Sequence, residues 1–206
     1  MSDLFIDILE YCPDFHELKE NYDEIHEELI ENYSSIALKD FTSDQSDHIR
    51  DHKKGFPVTF STYITAKDSP PDLKGWHVAT VTESGVPDPY NQRALPKLSS
   101  LICSFGEKVT VSAINVLGPN CSLDWHSDAD YALSSSLDTL RNIWVLDAPK
   151  AEGRSAIIQM KNADTSAVET KIFDNNSFYS FKHTTMHRVE NNLHSPRVVL
   201  VFDVIL

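Results

Sequence analysis

From Gly106 onward the chain changes character, and that change limits its fold more than any other feature. Val109 to Leu117, Leu123 to His126, Leu140 to Leu146, Ser155 to Met160, Ala167 to Phe173, Ser177 to Phe181, His187 to Asn191 and Arg197 to Ile205 are short runs, rich in β-branched residues and patterned at period two. Gly, Pro, Asn and Asp separate most of them. Closely spaced short strands of this kind cannot bury themselves singly, and they predict a β-sandwich or double-sheet jelly roll.

The preceding half reads differently. Phe15, Leu18, Tyr22, Ile25, Leu29 and Tyr33 recur at three- and four-residue steps, so the spacing predicts one amphipathic helix over 15–33. A shorter helix is expected around Leu4 to Tyr11, broken by Pro13. Residues 1–33 hold eleven acids and one base, Lys19. This is a solvated helix face, with a docking surface for a basic partner as the alternative. Residues 39–75 are rich in Asp, Ser, Lys, His and Pro and lack periodicity, apart from a strand-like run from Pro57 to Thr65. So long a loop is either a lid over a site or a plain surface excursion. Trp76 to Val81 reads as a strand, and a helix carrying Leu95, Leu98, Leu101, Ile102 and Phe105 should stop at Gly106. The expected organisation is one domain over 1–206. It comprises a helical segment at 1–38, the loop-rich 39–75 and a β core at 76–206.

A net charge of −13 argues against nucleic acid and anionic membrane as partners, because both need a basic footprint. Three widely spaced cysteines, Cys12, Cys103 and Cys121, with no CxxC, point to free thiols in a reducing compartment. The acidic start is no signal peptide, and Val198 to Phe202, the longest apolar run, is far too short to span a bilayer. A soluble cytoplasmic protein is the expectation.

With 9 histidines and 31 acids in 206 residues, chance gives roughly 1.4 His-x-acid triplets. There are two. His26-Glu27-Glu28 falls in the expected acidic helix, where residues two apart diverge. His126-Ser127-Asp128 lies at a strand end, where residues two apart share a face. With His187, 61 residues on, the set makes a two-histidine, one-carboxylate triad, which leaves half the coordination sphere of an octahedral ion open. Such sites suit non-haem Fe(II) oxygenases, in which co-substrate and O2 both need the metal. Arg197 opens the last strand among β-branched neighbours. A buried guanidinium needs an anion, and the far carboxylate of 2-oxoglutarate would serve.

The chain from about Trp76 onward resembles the aspartyl/asparaginyl β-hydroxylase family of 2-oxoglutarate-dependent oxygenases. The resemblance rests on Trp76, Asn91 and Pro96, Leu117-Gly118-Pro119-Asn120, His126, Leu140-Arg141, His187-Arg188-Val189 and, most specifically, Pro196 to Val204. It implies a double-stranded β-helix (jelly-roll, cupin-like) fold. It implies iron on His126 and His187, and Arg197 on the distal carboxylate of 2-oxoglutarate. Arg141 would lie near the co-substrate, and Asn115 stands where the animal enzyme has a serine that helps hold it. Asp128 stands where the animal aspartyl hydroxylase has glycine, so the chain looks like the full-triad members, among them bacterial enzymes acting on free amino acids. A family histidine two residues beyond Arg141 is here Ile143. The expected reaction is Fe(II)/2-oxoglutarate-dependent hydroxylation, using O2, of an unactivated C–H bond of an amino acid or peptidyl Asp/Asn-type residue, with release of succinate and CO2. A small-molecule or peptide substrate would meet Trp76, Asn91, Trp125 and His183. The alternative is a non-catalytic jelly roll that binds a metal or small acid.

Overall fold

The structure, a computed structural model, describes residues 4–41, 76–128, 139–148 and 152–205. The run Pro57 to Thr65 and the lid reading of residues 42–75 lie outside them.

Among the described residues, eleven strands form two antiparallel sheets. They are β1 (Lys39–Phe41), β2 (Trp76–Glu83), β3 (Val86–Pro87), β4 (Val109–Leu117), β5 (Cys121–His126), β6 (Thr139–Asp147), β7 (Ala156–Lys161), β8 (Val168–Ile172), β9 (Phe178–Lys182), β10 (Met186–Asn191) and β11 (Arg197–Ile205). The larger sheet runs β1-β2-β4-β11-β6-β9, with β3 beside β2, and the smaller runs β5-β10-β7-β8. This is the jelly-roll class that the period-two pattern predicts. Both β4 and β11 match their expected bounds. The three-residue β1, paired with β2 through Lys39↔Val78, lies inside a stretch that reads as loop.

Period two explains how one sheet serves two cores. On β11, Val198, Leu200, Phe202 and Val204 pack towards the helices, as do Ile114 and Val116 of β4 and Leu140, Trp144 and Leu146 of β6. The alternate residues Val199, Leu117, Ile143 and Val145 meet Ile158, Met160 and Val189 of the smaller sheet. Arg197 and Asp203 have the parity of Val199, so β11 delivers two charges to the inter-sheet space.

Among the described residues, five short α-helices cover the outer face of the larger sheet: α1 (Ile8–Tyr11), α2 (His16–Glu20), α3 (Tyr22–Asn32), α4 (Asn91–Ala94) and α5 (Pro96–Ser104). The expected continuous helix over 15–33 is split at Asn21, whose Nδ2 donates to the Glu17 carbonyl at 2.8 Å and competes with the backbone. The apolar stripe survives the break: Phe15, Leu18, Ile25 and Leu29 are all buried. Phe15 packs edge-on against Phe105 and Phe202, at 4.8 and 5.4 Å between centroids. Gly106, at φ 59°, ends α5 in the left-handed conformation that suits glycine.

His26-Glu27-Glu28 does lie on a helix, α3, and its members have separate jobs. His26 Nε2 is 3.8 Å from Asp147. Buried Glu28 accepts the backbone N–H groups of Lys97 and Leu98, at 2.7 and 3.0 Å, so its carboxylate caps α5. Glu28→Ala leaves those amides buried without an acceptor and should cost about 1–2 kcal/mol. For a chain of this size the melting temperature falls by about 2–8 °C. Divalent-metal affinity, measured on the same protein, stays at the wild-type value.

Candidate metal centre

Two neighbouring strands of the smaller sheet bring two histidines together. His126 ends β5, His187 is the second residue of β10, and the two are register partners. Their rings lie 4.3 Å apart, centroid to centroid. Asp128 follows β5 and is tied down by its backbone N–H, which donates to the His183 carbonyl at 2.9 Å. Ligand atoms of His126, Asp128 and His187 all lie within 4.8 Å of one another, a spacing one metal ion can bridge.

Local hydrogen bonds orient the imidazoles. Nδ1 of His126 faces the Asp124 carbonyl at 2.6 Å, and Nδ1 of His187 faces the Thr185 carbonyl at 3.0 Å. A carbonyl can only accept, so each Nδ1 carries the proton and each Nε2 presents a lone pair. Burial lowers the His187 pKa to about 4, which keeps that ring neutral near pH 7. The turn between β9 and β10 thus fixes two of the three residues, through the carbonyls of His183 and Thr185.

Asp128 is buried, and burial alone would push its carboxyl up. The Arg141 guanidinium beside it outweighs burial and holds it below the usual carboxylate range. Arg141 Nη1 lies 2.7 Å from Asp128 Oδ2. Arg141 also donates from Nε and Nη2 to the two oxygens of Asp203, each at 2.9 Å. Asp203 is held well below its ordinary value by Arg141, then by His183, against burial.

Arg197 is the opposite case. It is 2% exposed, its guanidinium lies 4.9 Å from the Phe173 ring centroid, and its Nε and Nη1 have no hydrogen-bond partner among the described residues. Burial pulls its pKa down to about 9, so it remains charged at neutral pH. Beside it, Trp76 and Arg197 both pair with Leu117 of β4. Two residues along β4 on the same face, Asn115 Oδ1 accepts from Trp76 Nε1 at 2.8 Å.

Two residues expected at the pocket point elsewhere. Asn91 lies on the helix side of the larger sheet, where Oδ1 accepts from Ala37 N–H and Nδ2 donates to the Thr80 carbonyl, joining three segments. Trp125 precedes His126 on the strand and so faces the other way, stacked under Arg188 at 5.5 Å. Buried His183 lies behind the cluster, with Nε2 3.4 Å from Asp203 Oδ1. Sequence reasoning gave no role to Asp203 or Phe173. The signal for Asp203 was present: an acid at an inward position of a strand that, Arg197 apart, is otherwise apolar.

A jelly roll with a two-histidine, one-carboxylate cluster between its sheets defines a class of metal-binding, oxygenase-type proteins. Residues 19–206 match the model of the aspartyl/asparaginyl β-hydroxylase family, and the chain belongs to that family of hydroxylases. No match was found among curated proteins. Similar solved structures include a predicted oxalate decarboxylase from Thermotoga maritima (11% identity, 64% of this chain and 81% of that one, TM-score 0.37). A deletion mutant of Bacillus subtilis oxalate decarboxylase has 16% identity over 74% of this chain and 34% of that one, with a TM-score of 0.40. An oxalate oxidase has 12% identity over 73% and 61%, also with a TM-score of 0.40. Likenesses at this level carry no weight for function; the fold rests on the strand pairing. No helix among the described residues is long and apolar enough to cross a membrane.

Proposed function

We propose that the chain is an Fe(II)/2-oxoglutarate-dependent dioxygenase that hydroxylates an unactivated C–H bond of an amino acid or a peptidyl Asp/Asn-type residue, releasing succinate and CO2. One observation carries the reading. The inter-sheet space that holds the triad also holds Arg197, a buried guanidinium whose Nε and Nη1 lack an acceptor among the described residues. Such a group is costly unless an anion completes it. A dicarboxylate that would meet the metal at one end and offer its far, planar carboxylate group to the guanidinium is an anion of the right kind.

His126 and His187 would hold the iron through Nε2, and Asp128 through its carboxylate. The iron and 2-oxoglutarate, when bound, supply the oxidising chemistry with O2. The protein's part is placement and exclusion of water. The carbonyls of Asp124 and Thr185 keep both Nε2 lone pairs directed inward. Arg197 would clamp the distal carboxylate, with Asn115 Nδ2 as a second donor. Leu117, Ile143, Val145, Met160, Phe181 and Val199 line the space with apolar surface that keeps bulk water out. A net charge of −13 fits a small-molecule or peptide substrate better than nucleic acid.

The test starts without oxygen. Adding Fe(II) and 2-oxoglutarate to metal-free protein should produce a visible metal-to-ligand charge-transfer band. Admitting O2 should then discharge the band and yield succinate. Absence of both band and succinate would leave a non-catalytic jelly roll that binds a metal or small acid.

A further inference from the structure

Arg141 lies where three buried charges meet, and the division of its donors decides its role. Sheet register sets the first pairing: Arg141 of β6 is directly opposite Asp203 of β11, and its Nε and Nη2 meet both carboxylate oxygens. A guanidinium gripped by two parallel bonds has its plane fixed. Its remaining nitrogen, Nη1, is thereby directed at Oδ2 of Asp128. Held there, the Asp128 carboxylate faces both histidines: Oδ2 lies 3.6 Å from Nε2 of His187 and Oδ1 lies 3.9 Å from Nε2 of His126.

The charges give the arrangement a purpose. Asp128 and Arg141 alone would cancel, and a divalent cation would enter a neutral site beside a guanidinium. Asp203 adds a second negative charge, so the three groups together carry a net single negative charge. At short range in a buried site, one charge more or less has a large effect. Cross-links to the backbone support the same unit: the turn residue His183 contacts Asp203 through its ring and holds Asp128 through its carbonyl.

Resting on the reading of His126, Asp128 and His187 as metal ligands, we infer that Asp203, acting through Arg141, is a positioning residue for the metal's carboxylate ligand. It fixes the guanidinium that presents Asp128, and it offsets that guanidinium's repulsion of a divalent cation. Arg141 therefore serves the metal, and Arg197 is the arginine that serves the co-substrate.

Mn(II) is the probe, titrated into metal-free full-length protein and followed by the loss of its free-ion EPR signal. Wild-type protein should bind it; if it does not, the metal-centre reading itself fails. In Asp203→Asn the affinity falls about 10–100-fold, the range typical when a group supporting a metal ligand is lost. In Asp203→Asn combined with Arg141→Gln the uncompensated guanidinium is gone, and the part of the lost affinity that came from its repulsion returns, so the double variant binds more tightly than Asp203→Asn. Non-additivity of this sign shows that Asp203 acts through Arg141. An Asp203→Asn protein with wild-type affinity, even if it melts earlier, would reduce the pair to a structural one and overturn the inference. So would a double variant no tighter than Asp203→Asn. Arg141→Lys, which keeps every charge but loses the planar fork, covers the case in which Asp203→Asn does not fold. It should weaken Mn(II) by about tenfold and leave 2-oxoglutarate affinity at saturating Mn(II) within about twofold. The reverse pattern would return Arg141 to the co-substrate.

Discussion

Asp128→Ala removes metal-dependent succinate formation and weakens Fe(II) binding by more than about 100-fold, beyond the effect of losing a group that merely supports a ligand. On the proposed function the variant would lose a charged ligand, and it also leaves Arg141 Nη1 beside the vacated position with its charge no longer shared between two carboxylates. The metal would then meet two neutral imidazoles and a cation. The resemblance bears on the same expectation, since it sets Asp128 against a glycine of the animal aspartyl hydroxylase. In this chain the arginine is aimed at Asp128, so deletion does not recreate the animal site. The fold should survive, because Arg141 keeps both bonds to Asp203. Circular dichroism within a few degrees of the wild-type melt, together with calorimetric Fe(II) titration, checks both halves. Wild-type turnover in the variant would remove Asp128 from the triad.

The β half of the fold was legible because both faces of the larger sheet are buried, and alternate residues still separate cleanly. Val198, Leu200, Phe202 and Val204 meet the helices, while Val199 meets the smaller sheet. The triad was legible for a local reason. Residues 126 and 128 flank a strand end, and helix geometry excludes the competing triplet at His26. What stayed hidden depends on register and on distant contacts. Asp203 opposes Arg141 only once β11 is aligned with β6. Glu28 caps a helix that begins almost seventy residues later, and no local pattern announces that. Trp125 was misplaced because a strand reverses its face at each step, so adjacency to His126 puts it on the wrong side. The break at Asn21 was missed because an apolar stripe tolerates an interruption that one side-chain amide can impose.

Arg197→Met raises the melting temperature of the metal-free protein and abolishes its response to 2-oxoglutarate. The two effects have one cause. Arg197 is buried over Phe173, and its Nε and Nη1 have no hydrogen-bond partner among the described residues. Burial of the charge is a standing cost to the fold. Its folded-state pKa is pulled down to about 9, below the unfolded value, so the cost is fully present at neutral pH. It is relieved only as the pH climbs past that value, where the folded state releases the proton first and stability rises with pH. Replacing a buried, incompletely paired charge by an apolar side chain of similar length typically gains about 1–4 kcal/mol, or about 2–15 °C here. On the proposed function the cost is retained because the dicarboxylate would remove it. In the wild type, with saturating Mn(II) in place of iron, 2-oxoglutarate at 100 times its dissociation constant should add about 2.7 kcal/mol of stability. The variant should show no such rise at the same concentration, and its half-saturation for 2-oxoglutarate should move up by at least about 100-fold. Mn(II) affinity should be unchanged, because Arg197 belongs to neither the triad nor the Arg141 pairings. Thermal melts with and without Mn(II) and 2-oxoglutarate read out each part. A variant that melts lower than wild type, yet still gains the full increment from 2-oxoglutarate, would make Arg197 a structural residue and leave the co-substrate without its anchor.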